Sequence, residues 1–182
     1  MPHQSRSTAQ RTLTAVDFEV YLLMTMLCRA AAKSAALTRL GLTLDDGRRI
    51  SDAVRVHLDG SPSRFAAVAE LLGLAPTAYL LHTESLRLWP DFRLLLAAGR
   101  HGTLAYATFT RAAGVSTQLP PPSALRPWST TRDELAAAYG PLRTTDHCPP
   151  HEAYTFQHAA GTCTATFSWG LLMELDASGA ES

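Results

Sequence analysis

The stretch Ser63–Leu74 (SRFAAVAELLGL) constrains this chain more than any other. Ser63 stands where a helix N-cap is wanted, because its hydroxyl accepts a backbone N–H that the first helical turn leaves unpaired. Phe65, Val68, Ala69 and Leu72 follow at helical spacing. Gly73 supplies a residue that takes positive φ without steric cost. A new apolar run opens at Pro76, a residue suited to a first helical turn. Ala69, four residues before Gly73, leaves room for two helices to touch. The pattern predicts two short helices meeting at a corner, a helix-turn-helix whose second helix covers 77–88.

Similar signals organise the rest. Thr14 with Asp17, and Thr43 with Asp46, have the spacing of capping boxes. They predict one long helix from 14 to about 40, stopped at Gly41, and another over 45–58 that buries Ile50, Ala53, Val54 and Leu58. Trp89-Pro90 breaks the helix before it, 91–98 reads as a short helix stopped by Gly99, and 103–113 is assigned as helix although Thr, Tyr and Phe there also suit a strand. Residues 114–129, with Pro120–Pro122, read as a linker. Beyond it come a helix over 131–139 and a β-hairpin of 152–157 with 162–175, turning at His158–Gly161. The expected organisation is a flexible arm (1–13), a helical domain (14–113), the linker (114–129), a helix-plus-hairpin unit (130–176) and a tail (177–182). The fold class is therefore expected to be mainly α, α+β overall, with a helix-turn-helix-like core.

With 182 residues, 46% of them hydrophobic, the chain has enough apolar material for a core and is not of disordered type. Net charge is zero, but it is unevenly placed: residues 1–116 carry 13 basic and 9 acidic side chains, residues 117–182 carry 3 and 7. A positive front half fits contact with phosphate. Three cysteines (Cys28, Cys148 and Cys163) do not make a disulfide framework. The apolar run Val20–Cys28 is too short to span a bilayer, no signal-peptide pattern opens the chain, and a cytoplasmic or intracellular location without membrane contact is the expectation.

Residues 64–113 resemble the helix-turn-helix region of the ParB/KorB-like DNA-binding family. The likeness rests on Val68–Gly73, the Leu-rich Leu86–Leu88, Pro90, the short Leu94–Gly99 segment and Leu104–Arg111. The family's N-terminal nucleotide-binding motifs are absent from residues 1–60, so the resemblance implies DNA contact and transcription regulation but no nucleotide chemistry. In the usual register Ala75, Pro76, Thr77, Leu80, Leu81 and Glu84 would face DNA. Backbone docking by Arg64, Arg87, Arg93 and Arg100, with Thr77 and His82 as polar contacts, is the mechanism this implies for duplex DNA.

Two other readings stand beside it. One is a non-catalytic protein–protein interaction factor, in which an exposed Leu80/Leu81 pair serves a homodimer or a protein partner. The other is a small enzyme whose site is assembled from distant residues, since there is no phosphate-cradling glycine motif, nucleophile elbow or paired metal carboxylate. No cofactor is expected. His147, Cys148, His151 and Cys163 carry the right donors for zinc, but Pro149-Pro150 stiffen the loop between them, and a Pro-rich loop with a buried Cys163 is the favoured reading.

Overall fold

The computed structural model describes residues 12–75, 79–83, 85–115, 118–159 and 161–178. Its front half begins with α1 (Ala15–Thr25), α2 (Ala30–Thr38), α3 (Leu44–Asp59) and α4 (Arg64–Leu71). The caps are those the sequence announces. The Asp17 carboxylate accepts from the Thr14 N–H at 2.9 Å while the Thr14 hydroxyl accepts from the Asp17 N–H, and Thr43 with Asp46 repeats the arrangement. Ser63 Oγ accepts from the Ala66 N–H, and Gly73 sits at φ +67° just past α4. Along α3, Ile50, Val54 and Leu58 form a four-residue stripe into the core, whereas Ala53 faces water.

The long first helix is in fact two. The chain leaves α1 at Met26 in an extended conformation. Groups far along the sequence take up the freed backbone: Leu27 N–H donates to Ser168 Oγ at 3.0 Å, and Trp169 Nε1 donates to Thr25 Oγ1 at 2.9 Å. Contacts about 140 residues away override a strong local helix preference.

The expectation of a mainly α fold is overturned between residues 79 and 113. Three expected helices are replaced by an antiparallel sheet of β1 (Leu80–His82), β2 (Phe92–Ala98) and β3 (Leu104–Arg111), in that order. Phe92, Leu94 and Leu96 are buried while Arg93, Leu95 and Ala97 are only half-buried, the two-residue period of a strand. A buried carboxylate prevents helix over 86–88: Glu19 of α1 accepts the backbone N–H groups of Arg87 and Leu88 at 3.0 and 2.7 Å. Burial pushes the Glu19 carboxyl above its ordinary value, against the pull of those two bonds and of the Arg87 charge.

The back half holds α5 (Arg132–Tyr139) and a meander of β4 (Arg143–Cys148), β5 (His151–His158), β6 (Gly161–Ser168) and β7 (Leu171–Ser178), paired in sequence order. The expected hairpin is its β5–β6 part. One face, with Tyr154, Phe156, Cys163, Ala165 and Phe167, packs against Leu125 and Leu135 in a second core. On the opposite face Leu171 and Met173 join the first core, beside the helices and the three-stranded sheet.

Two joints fasten these layers. Arg111 of β3 forms a bidentate pair with Glu134 of α5 at 2.7 and 2.8 Å, while its guanidinium lies 4.2 Å from the Phe92 ring centre and reaches Ser129 O. Burial would raise the Glu134 carboxyl, but the bonds from Arg111, Thr131 and Thr130 outweigh it and hold it below the ordinary carboxylate range. The β6–β7 turn makes the other joint. Trp169 and Gly170 both take positive φ, as a tight two-residue hairpin requires. Trp169 O accepts the Phe109 N–H at 2.8 Å, so the turn covers the outer edge of β3.

Candidate interaction surface

Among the described residues, no strand pairs with the β1 edge of the three-stranded sheet. Ala98 N–H donates to Tyr79 O and Thr83 N–H to Leu94 O, so backbone groups of odd-numbered residues in β1 face β2. By the alternation of an antiparallel ladder, the N–H and C=O groups of Leu80 and His82 point away from the sheet. Thr83, itself buried, closes the strand by accepting the Leu94 N–H on its hydroxyl at 2.8 Å.

The sheet's outer face is apolar at one end. Leu80 pairs with Ala97, and Ala97 pairs with Tyr106. The three side chains therefore share a row, with a methyl group between a leucine and a tyrosine. Leu80 and Tyr106 are 53% and 45% exposed, two of the five large apolar side chains exposed among the described residues; Tyr79, one residue before Leu80, falls on the other face by strand alternation. The next row, His82–Leu95–Thr108, is mixed, and Arg93–Thr110 is polar. Apolar side chains on neighbouring strands add to one another's contact area, whereas Leu27 and Val56 are solitary and need no explanation.

The expected DNA-contacting residues are carried by separate elements. Leu80–His82 is strand, so no recognition helix carries Leu80, Leu81 and His82; Thr77 and Glu84 lie outside the described residues. Arg64 opens α4 and pairs with Asp59. Arg87 is exposed beside the Glu19 contact, and Arg93 is half-buried with its Nε lacking a hydrogen-bond partner. Arg100 lies in the 3₁₀ turn Arg100–Gly102, beyond the far end of β2 from Arg93, roughly 20 Å away at strand rise. His82 is exposed on β1.

Of the zinc candidates, Cys148 and His151 are cross-strand partners, but the others are not on that pair. His147 and Cys148, adjacent in β4, point to opposite faces; His147 Nδ1 lies 3.4 Å from Glu152 Oε1. Cys163 is in the second core, where burial pushes its thiol up. His151 Nδ1 is 3.0 Å from Ser168 Oγ, and burial followed by the Lys33 charge holds the imidazole below its ordinary value. Ser168 is wholly buried and its oxygen accepts the Leu27 N–H, so this serine and histidine fasten the sheet to the α1–α2 break and present no accessible nucleophile. No group of three or more His, Cys, Asp or Glu able to hold a metal ion occurs among the described residues, and no helix there is long and apolar enough to cross a membrane.

Sequence reasoning singled out Leu80 and Leu81 as an interface pair but passed over Tyr106. The alternation of Leu104–Arg111 (LAYATFTR) was the available signal. No family model, curated protein or solved structure matches this chain.

Proposed function

We propose that this protein is a non-catalytic interaction factor that associates with a second copy of itself through the outer face of the three-stranded sheet. The observation that carries this is the exposed row Leu80–Ala97–Tyr106. A twofold axis presents the same patch from both copies, so an apolar end meets an apolar end. The chain's zero net charge gives two copies no overall repulsion. Tyr106 is already more than half buried, so it adds less than the about 150–250 Å² of a fully buried aromatic, and with Leu80 the patch offers roughly 200 Å² per copy. The sum falls below the roughly 1,200 Å² of stable interfaces, which makes the association weak and concentration-dependent.

Sedimentation velocity over a concentration series tests this. The wild-type chain should show a rising average mass, Leu80→Glu should stay monomeric at every concentration, and Thr164→Glu, on the exposed face of the other sheet, should behave as wild type. A monomeric wild-type chain throughout the series would refute the reading.

The outward N–H and C=O groups of Leu80 and His82 favour a second arrangement, antiparallel addition of β1 to β1 of the second copy. There Leu80 faces the other copy's His82 and two Leu81 residues meet at about 4.5 Å between Cα atoms, within disulfide reach. Leu81→Cys in a Cys148→Ser background forms a disulfide dimer on mild oxidation only in that arrangement.

A further inference from the structure

A cleft of 340 Å³ opens on a different part of the surface, where the α3–α4 corner meets the β2–β3 turn. Leu58 and Leu104 supply apolar wall; Asp59, Ser61, Arg64 and His101 supply the polar groups. The two segments are stapled together. Ser63 caps α4 with its hydroxyl oxygen and donates from the same hydroxyl to Gly102 O at 3.1 Å. Gly102 takes φ +76°, and a Cβ there would lie 2.6 Å from Ser63 Oγ, so only glycine permits this approach.

The residue before it is the informative one. His101 takes φ +56° and ψ +30°, a left-handed conformation that glycine adopts freely and a histidine adopts at a cost. The fold therefore places an imidazole on the cleft wall where a glycine would be less strained. Arg64 belongs to the same lining. Its partner Asp59 is half-exposed, and pairs of that kind contribute little to stability. One carboxylate also leaves most of the five guanidinium N–H donors unused. Ala66 and Ala67 N–H groups are taken by Ser63, and the positive end of α4 faces the same corner.

We propose that this cleft binds a small phosphate monoester with an apolar body. Arg64 and His101 would engage the phosphate oxygens and Leu58 and Leu104 the body. A planar, multiply donating guanidinium beside an imidazole at a helix N-terminus suits a phosphate, and the two leucines reward a ligand larger than the bare ion. Asp59 is the opposing charge: an incoming phosphate must displace it from Arg64.

Titration of the full chain with phenyl phosphate, followed by backbone amide NMR, tests the proposal. Saturable shifts are expected at Ser61–Arg64 and at His101–Thr103. Arg64→Gln should weaken binding about tenfold, the scale of a lost charge-assisted hydrogen bond. Asp59→Asn should tighten it by releasing Arg64. His101→Gly suits the local backbone, so the protein remains folded while affinity falls. Inorganic phosphate should bind more weakly than phenyl phosphate, and phenol should not bind. Absence of saturable shifts, equal affinity in Arg64→Gln and His101→Gly, or weaker binding in Asp59→Asn would each overturn the assignment. Because the cleft does not include the Leu80–Ala97–Tyr106 row, its failure would leave self-association untouched, and the converse holds.

Discussion

The two sheets of this molecule treat their solvent-facing sides differently. On the four-stranded sheet, the face turned from the second core carries the rows Arg143–Thr155–Thr164–Asp176 and Ala153–Thr166–Glu174, mostly polar away from the first core. The corresponding face of the three-stranded sheet carries Leu80, Leu95, Ala97 and Tyr106. Composition does not explain the contrast, because both sheets belong to one chain in one solvent. Polar outer positions are the ordinary solution for a sheet with one wet face. The three-stranded sheet departs from that solution at the end where β1 has no strand partner among the described residues, and the proposed self-association rests on that coincidence.

The largest expected effect concerns the joint that holds the two sheets in one body. Glu134→Ala leaves the half-buried Arg111 guanidinium with Ser129 O but no carboxylate and should cost about 2–4 kcal/mol; chemical unfolding followed by both tryptophan fluorescence and far-UV circular dichroism should show the loss in one shared transition. Separate transitions would mean that the sheets fold independently. Glu19→Gln comes next. Glutamine offers one carbonyl where two backbone N–H groups need acceptors, so a loss of about 1–3 kcal/mol is expected in urea unfolding. Gly170→Ala should cost about 1–3 kcal/mol, because φ is +78° and the new Cβ would lie 2.2 Å from Thr108 Oγ1.

Acid should separate the two carboxylates. The folded Glu134 is held low, so its contribution is present above the ordinary carboxyl range and disappears as pH falls through the lowered value. The folded Glu19 is raised, so the native state binds a proton that the unfolded chain has released, and stability declines as pH rises through that window. Urea midpoints between pH about 3 and about 7 should flatten at the acid end in Glu134→Gln and lose the decline in Glu19→Gln. The smallest effect on stability, and the sharpest on the contrast between faces, is Tyr106→Thr. It gives the three-stranded sheet the outer residue of the other sheet and should change stability by less than about 0.5 kcal/mol while abolishing concentration-dependent mass.

What the sequence disclosed was local. Thr14 with Asp17, Thr43 with Asp46 and Ser63 each mark a helix start within four residues, and each cap is observed. The β5–β6 hairpin was legible because its residues alternate. FRLLLAA concealed β2: leucine occupies buried 94 and 96 and also half-buried 95, so no period separates strand from helix. Partners distant in sequence decided the rest. Ser168 receives the Leu27 N–H at the α1 break, and Glu19 holds residues 87 and 88 out of helix. Leu80 could be named as an interface residue, but its row with Ala97 and Tyr106 follows from a register that no single segment encodes. His101 was invisible because its interest lies in a backbone angle.

The most direct test of the central contrast is tyrosine labelling by hydroxyl radicals across a protein concentration series, read by peptide mass spectrometry. Tyr106 should become protected as concentration rises, while Gln157 and Thr162 on the four-stranded sheet keep the same backbone exchange rates in a parallel deuterium experiment. Unchanged labelling of Tyr106 from dilute to concentrated solution would contradict the account.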